Sequence, residues 1–137
     1  MENNITFLTS PGQTFHVIPL RCTDTLHFDP APLVRLFATK PQSEAEAIVC
    51  RVLQELAARL DGVQQGLTKA DHAVMLRSAR KILIIAEQLG VTEVAVSVGH
   101  VINCLRQCDQ VALHATVSRL ERAFDVAVGE VWNFRSA

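Results

Sequence analysis

The chain has no tyrosine, one tryptophan and an aromatic content of only 5%. Sandwiches and barrels fill their pleated faces with aromatic and β-branched side chains, so the core here must instead be aliphatic, a mixture suited to helix packing. Charge of either sign is not in excess, the formal net charge being −1. With no sequence-wide positive field to hold a phosphate backbone, nucleic acid is not an expected partner. Long hydrophobic runs are missing as well. The longest covers residues 82–86, against the roughly 20 apolar residues that a spanning helix needs, so no membrane association is expected. Met1-Glu2-Asn3-Asn4 has neither the basic stretch nor the apolar run of a signal peptide, which makes the cytoplasm the expected location. Paired C-x-x-C knuckles are absent. Cys22, Cys50, Cys104 and Cys108 are expected as reduced thiols. No Ser/His/Asp order, glycine-rich phosphate loop, pair of catalytic carboxylates or dinucleotide fingerprint occurs. No catalytic residue and no cofactor are therefore expected.

What is present is an apolar fraction of 49% in 137 residues, enough for one domain with an ordinary packed core. Residues 1–28 read as an N-terminal arm. Ile5-Thr6-Phe7-Leu8 and Thr14-Phe15-His16-Val17-Ile18 are short β-like runs around Ser10-Pro11-Gly12-Gln13, consistent with either a small hairpin or an irregular extended arm. Residues 29–137 read as helices. Asp29-Pro30 opens a short one, with Asp as cap and Pro at its first position, and Lys40-Pro41 closes it. A second starts at Ser43, where Ser43 and Glu46 have capping-box spacing. Ala45, Ile48, Val49, Val52, Leu53, Leu56, Leu60 and Val63 recur along it at helical steps, and Gly62 and Gly66 are expected to loosen and end it. A third runs from Thr68 to Leu89-Gly90 with Asp71 in its first turn. A fourth begins near Thr92 and carries Val94, Val98, Val101, Ile102 and Leu105. A fifth begins at Asp109 and carries Val111, Leu113, Val117, Leu120, Phe124, Val128 and Val131. Connections this short force antiparallel neighbours. The expected fold is all-α: an up-and-down antiparallel four-helix bundle with a short preceding helix and an irregular or hairpin arm.

The third helix differs from its neighbours. At roughly 100° per residue, Met75, Ser78, Ile82, Ile85, Ala86 and Leu89 share an inward side, while Arg77, Arg80, Lys81, Glu87 and Gln88 gather opposite. Ile84 falls in the middle of that polar side, with Leu76 and Leu83 at its margin. One exposed isoleucine is ordinary on a protein surface. An apolar centre with a mostly cationic rim is also the pattern of a docking patch, which makes Arg77, Arg80, Lys81, Ile84 and Glu87 the candidate partner-binding residues.

The order of elements resembles the histidine phosphotransfer (HPt) domains of two-component signalling. In that family a short helix with a D-P-x-x-L-x-x-L-like opening precedes a four-helix bundle, and Asp29-Pro30-Ala31-Pro32-Leu33-Val34-Arg35-Leu36 matches that opening. The family signature A-H-x-L-K-G, followed by L-G, corresponds to Ala79-Arg80-Lys81-Ile82-Leu83-Ile84 and Leu89-Gly90. Packing and capping positions are kept. The functional ones are not: Arg80 stands for the phosphorylated histidine, Leu83 for the lysine and Ile84 for the glycine. A guanidinium stays protonated and offers only donors, so it cannot accept a phosphoryl group as an imidazole does. The resemblance, spanning about residues 29–132, implies a degenerate domain that docks a receiver domain or histidine kinase-like protein without the chemistry.

Two other readings stand beside it: an unrelated helical interaction module, such as a homodimer built on the third helix, and phosphotransfer through a displaced histidine, with His72 the candidate. His100, Cys104 and Cys108 are spaced by four, as metal ligands on one helix can be. The two cysteines lie close to the apolar stripe, where cysteine acts as a small buried hydrophobe, and no metal site is expected. His114, like His16 and His27 in the arm, suggests nothing specific. Trp132 and Phe134 are expected to fold back as an apolar plug or to serve an oligomer contact.

Overall fold

The computed structural model describes residues 28–136. The hairpin or irregular arm expected at the N-terminus, together with Cys22, His16 and His27, lies outside them. Five helices follow one another: α1 (Ala31–Thr39), α2 (Gln42–Lys69), α3 (His72–Leu89), α4 (Thr92–Gln107) and α5 (Gln110–Ser136). Each of α2 to α4 packs on the next, and α2 meets α5 to close an up-and-down four-helix bundle. No helix among the described residues is long and apolar enough to cross a membrane.

The core is aliphatic. Val49, Leu56 and Val63 of α2, Met75, Ala79, Ile82 and Ala86 of α3, Val94, Val98 and Val101 of α4, and Leu113, Val117 and Leu120 of α5 are all buried. The last stripe departs from expectation at its ends: Val111 is exposed, and Ala123 and Ala127 rather than Phe124 and Val128 occupy the innermost positions. Small residues there let α5 approach its neighbours while the larger side chains cover the seam. The α2–α5 contact also carries a polar bond, Gln64 Nε2 donating to Glu121 Oε2 at 2.7 Å.

The three turns of the bundle share one geometry. Ala70, Gly90 and Cys108 sit in the left-handed region at φ 55°, 86° and 57°. The residue after each donates its N–H five residues back: Asp71 to Gly66 at 2.8 Å, Val91 to Ala86 at 3.0 Å and Asp109 to Cys104 at 3.1 Å. This six-to-one bond is the Schellman ending, which satisfies helix carbonyls that would otherwise be unpaired. Asp71 and Asp109 then cap the following helix, their Oδ1 atoms accepting from the N–H groups of Val74 and Ala112 at 3.2 and 3.1 Å.

Three boundaries differ from the sequence expectation. The Ser43/Glu46 capping box does not form. Pro41 takes the N-cap position without a side-chain bond, its carbonyl accepts from Ala45 N, and Glu46 bonds Gln42 along the helix instead. Second, α2 passes through Gly62 and Gly66 to Lys69. These glycines are packing positions, where an added Cβ would strike the Ser78 hydroxyl and the Met75 side chain of α3. Third, Thr68 belongs to α2, its hydroxyl donating to the Gln64 carbonyl at 3.1 Å, and α3 begins only after the Asp71 cap.

Helix α1 lies over the end of the bundle where α3 passes into α4. Asp29 Oδ1 accepts from Ala31 N at 3.1 Å, Pro occupies the first turn, and Leu33 is buried. Phe134 of α5 closes this end against Phe28 and Phe37, with ring centroids 6.4 and 5.9 Å away. Phe134 thus forms the expected plug, whereas Trp132 remains exposed.

Candidate functional site

The site is built on the outer face of α3. A Met75/Ala79/Ile82/Ala86/Leu89 stripe faces inward, and that choice of face turns Arg77, Arg80, Lys81, Ile84 and Glu87 outward; all five are exposed. Ile84 keeps 55% of its surface in water. Leu76 and Leu83, half-buried, pack against the core, and Ile84 projects from the polar face between them. Among the described residues, no ion pair or side-chain hydrogen bond engages Arg77, Arg80, Lys81 or Glu87. Among the described residues only Lys40 and Arg59 are held in ion pairs, by Glu44 and Glu55. The cations around Ile84 face solvent.

The face does not stop at α3. Between α3 and α4 runs an open groove of about 450 Å³, bounded by Arg80 and Leu83 on one wall and by Gly99, His100, Asn103 and Arg106 on the other. These α4 residues escaped the sequence reading, which weighed His100 only as a metal ligand. The available signal was Gly99, a glycine in a helix interior, where it weakens the helix relative to alanine.

The remaining histidines and cysteines are placed elsewhere. His72 opens α3, half-buried, with the Gln110 side-chain nitrogen 3.0 Å from its Nε2. It lies eight residues before Arg80, or roughly 12 Å along the helix at 1.5 Å per residue. Cys104 faces α5 and accepts a weak hydrogen bond from the Thr116 hydroxyl at 3.8 Å. Cys108 is not the buried hydrophobe expected. It is exposed and ends α4 in the left-handed conformation, because the two-residue turn into α5 begins there. No group of three or more His, Cys, Asp or Glu lies close enough to hold a metal ion among the described residues.

Chemically, the outer face of α3 presents cationic donors around an apolar side chain, and the one imidazole near it is His100 across the groove. Arg80 presents donors only, and Ile84 occupies space next to it. A carboxylate or phosphoryl group delivered by another molecule would meet charge-assisted donors beside an apolar contact. Comparison with protein-family models, with curated proteins and with solved structures finds no match to this chain.

Proposed function

We propose that this protein is a non-phosphorylatable, phosphotransfer-like docking module that binds an acidic receiver domain or a histidine kinase-like protein through α3. The observation that carries this reading is the uncovered Ile84 among Arg77, Arg80 and Lys81, none of which has a carboxylate partner among the described residues. An apolar centre inside a charged rim is how protein interfaces are built, and unpaired cations favour a partner of opposite sign. The short helix laid over one end of an up-and-down bundle supports the resemblance seen at residues 29–36 and 79–90. Arginine at position 80 separates docking from phosphoryl acceptance, since it offers no lone pair.

Self-association through the same face is the competing reading. A two-fold contact would set the Arg77/Arg80/Lys81 cluster against its own copy, opposing like charges at the rim, so an acidic partner fits better. The test is a calorimetric titration of receiver and kinase-like domains with the native chain and with the Arg80→Glu, Ile84→Asp double variant. The expected result is saturable binding that weakens at least about tenfold in the variant, a loss of roughly 1.4 kcal/mol. Unchanged affinity would remove the proposal. Light scattering of the native chain alone reads out the homodimer.

A further inference from the structure

We propose that the apolar groove between α1 and α2 is the seat of the chain's own N-terminal arm, with Phe15 as the anchor. The groove has a volume of about 240 Å³, and its walls include Pro32 and Leu36 of α1, Ile48 and Val52 of α2, and Gln88 and Leu89 of α3. Leu36, Ile48 and Val52 are only half-buried there. Gln88 is the single polar side chain of the lining, and no Asp, Glu, Lys or Arg borders it. Such walls take up an apolar group and give a charged ligand nothing to pair with. The volume suits an aromatic ring, since a dry apolar cavity of about 150 Å³ admits benzene. The groove is open along one side, so the backbone of an extended segment stays within reach of water and of the Gln88 amide.

Where the chain enters the fold selects the occupant. The Asp29 N–H is bonded to the Gly90 carbonyl at 2.6 Å, and Pro32 lies against Gly90. Pro32 and Leu89, the residue before Gly90, both line the groove, so the arm begins at its rim. The positions before Phe28 include the apolar runs 5–8 and 14–18 and, in Phe7 and Phe15, two of the six phenylalanines. The other four are engaged in the fold: Phe28 and Phe37 flank Phe134, and Phe124 packs against the core. Phe15 is the nearer of the two. The 13 positions from it to Phe28 reach about 40 Å when extended, ample even to pass around α1, a helix about 10–12 Å across. In an extended segment Phe15 and Val17 share a face, which sets a second apolar side chain beside the ring. A tether this short holds the segment at an effective concentration on the order of millimolar, so a separate peptide of the same chemistry competes poorly for the groove.

The experiment is methyl NMR spectroscopy of the full chain, and it needs no receiver or kinase-like partner. Nuclear Overhauser contacts should join the Phe15 ring to the methyl groups of Leu36, Ile48 and Val52. Phe15→Ser should abolish them and shift those methyl resonances, while Phe7→Ser leaves the resonances in place. Both substitutions fall outside the helices that build the core, and the buried methyl groups of Val94 and Val98 should stay unmoved in either variant. Absence of the contacts in the native chain, or groove methyl groups that ignore Phe15→Ser, would overturn the inference. A shift produced by Phe7→Ser alone would overturn the choice of anchor. Mixing isotope-labelled with unlabelled chains gives the last check: contacts between copies would hand the groove to the arm of a second chain and overturn the internal seat.

Discussion

The backbone N–H of Asp29 donates to the carbonyl of Gly90 at 2.6 Å, tying the entry of α1 to the turn between α3 and α4. The turn is also where a side chain fits worst: a Cβ at position 90 would meet the Asp29 carbonyl. One contact thus couples the short helix to the Schellman ending, and Gly90 serves both the left-handed φ and the close approach.

Gly90→Ala should therefore destabilise the fold by roughly 2–3 kcal/mol, combining the left-handed penalty with displacement of α1. Urea unfolding monitored by circular dichroism measures it. A loss below about 0.5 kcal/mol, the size of an ordinary surface substitution, would show that α1 is not held by this contact.

The other two turns adopt the same conformation without glycine. Ala70 and Cys108 each carry a Cβ at φ 55° and 57°, where an L side chain is strained. Ala70→Gly and Cys108→Gly should each raise stability by about 0.5–1 kcal/mol, because relief of that strain exceeds the added entropy of the unfolded chain. Both residues are exposed, so no core contact is lost. Lowered urea midpoints in both variants would contradict the assignment of strain to these turns.

These turns also show why part of the fold was legible in the sequence and part was not. Gly90 marks its own turn, and the end of α3 was read to the residue. Ala70 carries no such mark, while Gly62 and Gly66 nearby look like terminators. The spacing therefore points to an end of α2 near Gly66 and a start of α3 at Thr68, whereas α2 runs to Lys69 and α3 starts at His72. Only the fold distinguishes a glycine that ends a helix from one that lets two helices touch. The outward face of α3 was readable because Met75, Ala79, Ile82, Ala86 and Leu89 fix its phase. The groove needs α4 beside α3, and nothing in the periodicity of one helix announces Arg106 as a neighbour of Arg80.

Two isoleucines two residues apart on α3 should separate folding from docking. Ile82 is 1% exposed and Ile84 55% exposed. Ile82→Ala should cost about 2–5 kcal/mol through the cavity it leaves, whereas Ile84→Gln should change stability by no more than about 0.5 kcal/mol. For the receiver or kinase-like partner of the proposal, Ile84→Gln should weaken binding, and the binding should fall further as salt screens the Arg77/Arg80/Lys81 rim. Calorimetry at two salt concentrations checks both. An Ile84→Gln variant that unfolds early, or binds as well as the native chain, would contradict the face as described.

Phosphoryl acceptance supplies the last prediction. The chain, incubated with a labelled autophosphorylated kinase or phospho-receiver, should acquire no acid-labile phosphate. In the proposed phosphotransfer-like reading, Arg80 stands where a phosphoacceptor histidine would be, and its guanidinium has no free lone pair. His72 lies at the other end of α3, with Gln110 against its ring and away from the uncovered Ile84. Changing Arg80 to His while changing Ile84 to Gly would supply an imidazole and clear the space beside it on an already exposed face. That double variant should take up label if α3 docks the phosphodonor in the family's manner. The native chain and the double variant differ in nucleophile and clearance but share the remainder of the face. Label on the native chain at His72 would therefore replace the docking role with true phosphotransfer. A double variant that stays unlabelled, though folded and bound by the same donor, would mean that the donor approaches α3 in another orientation.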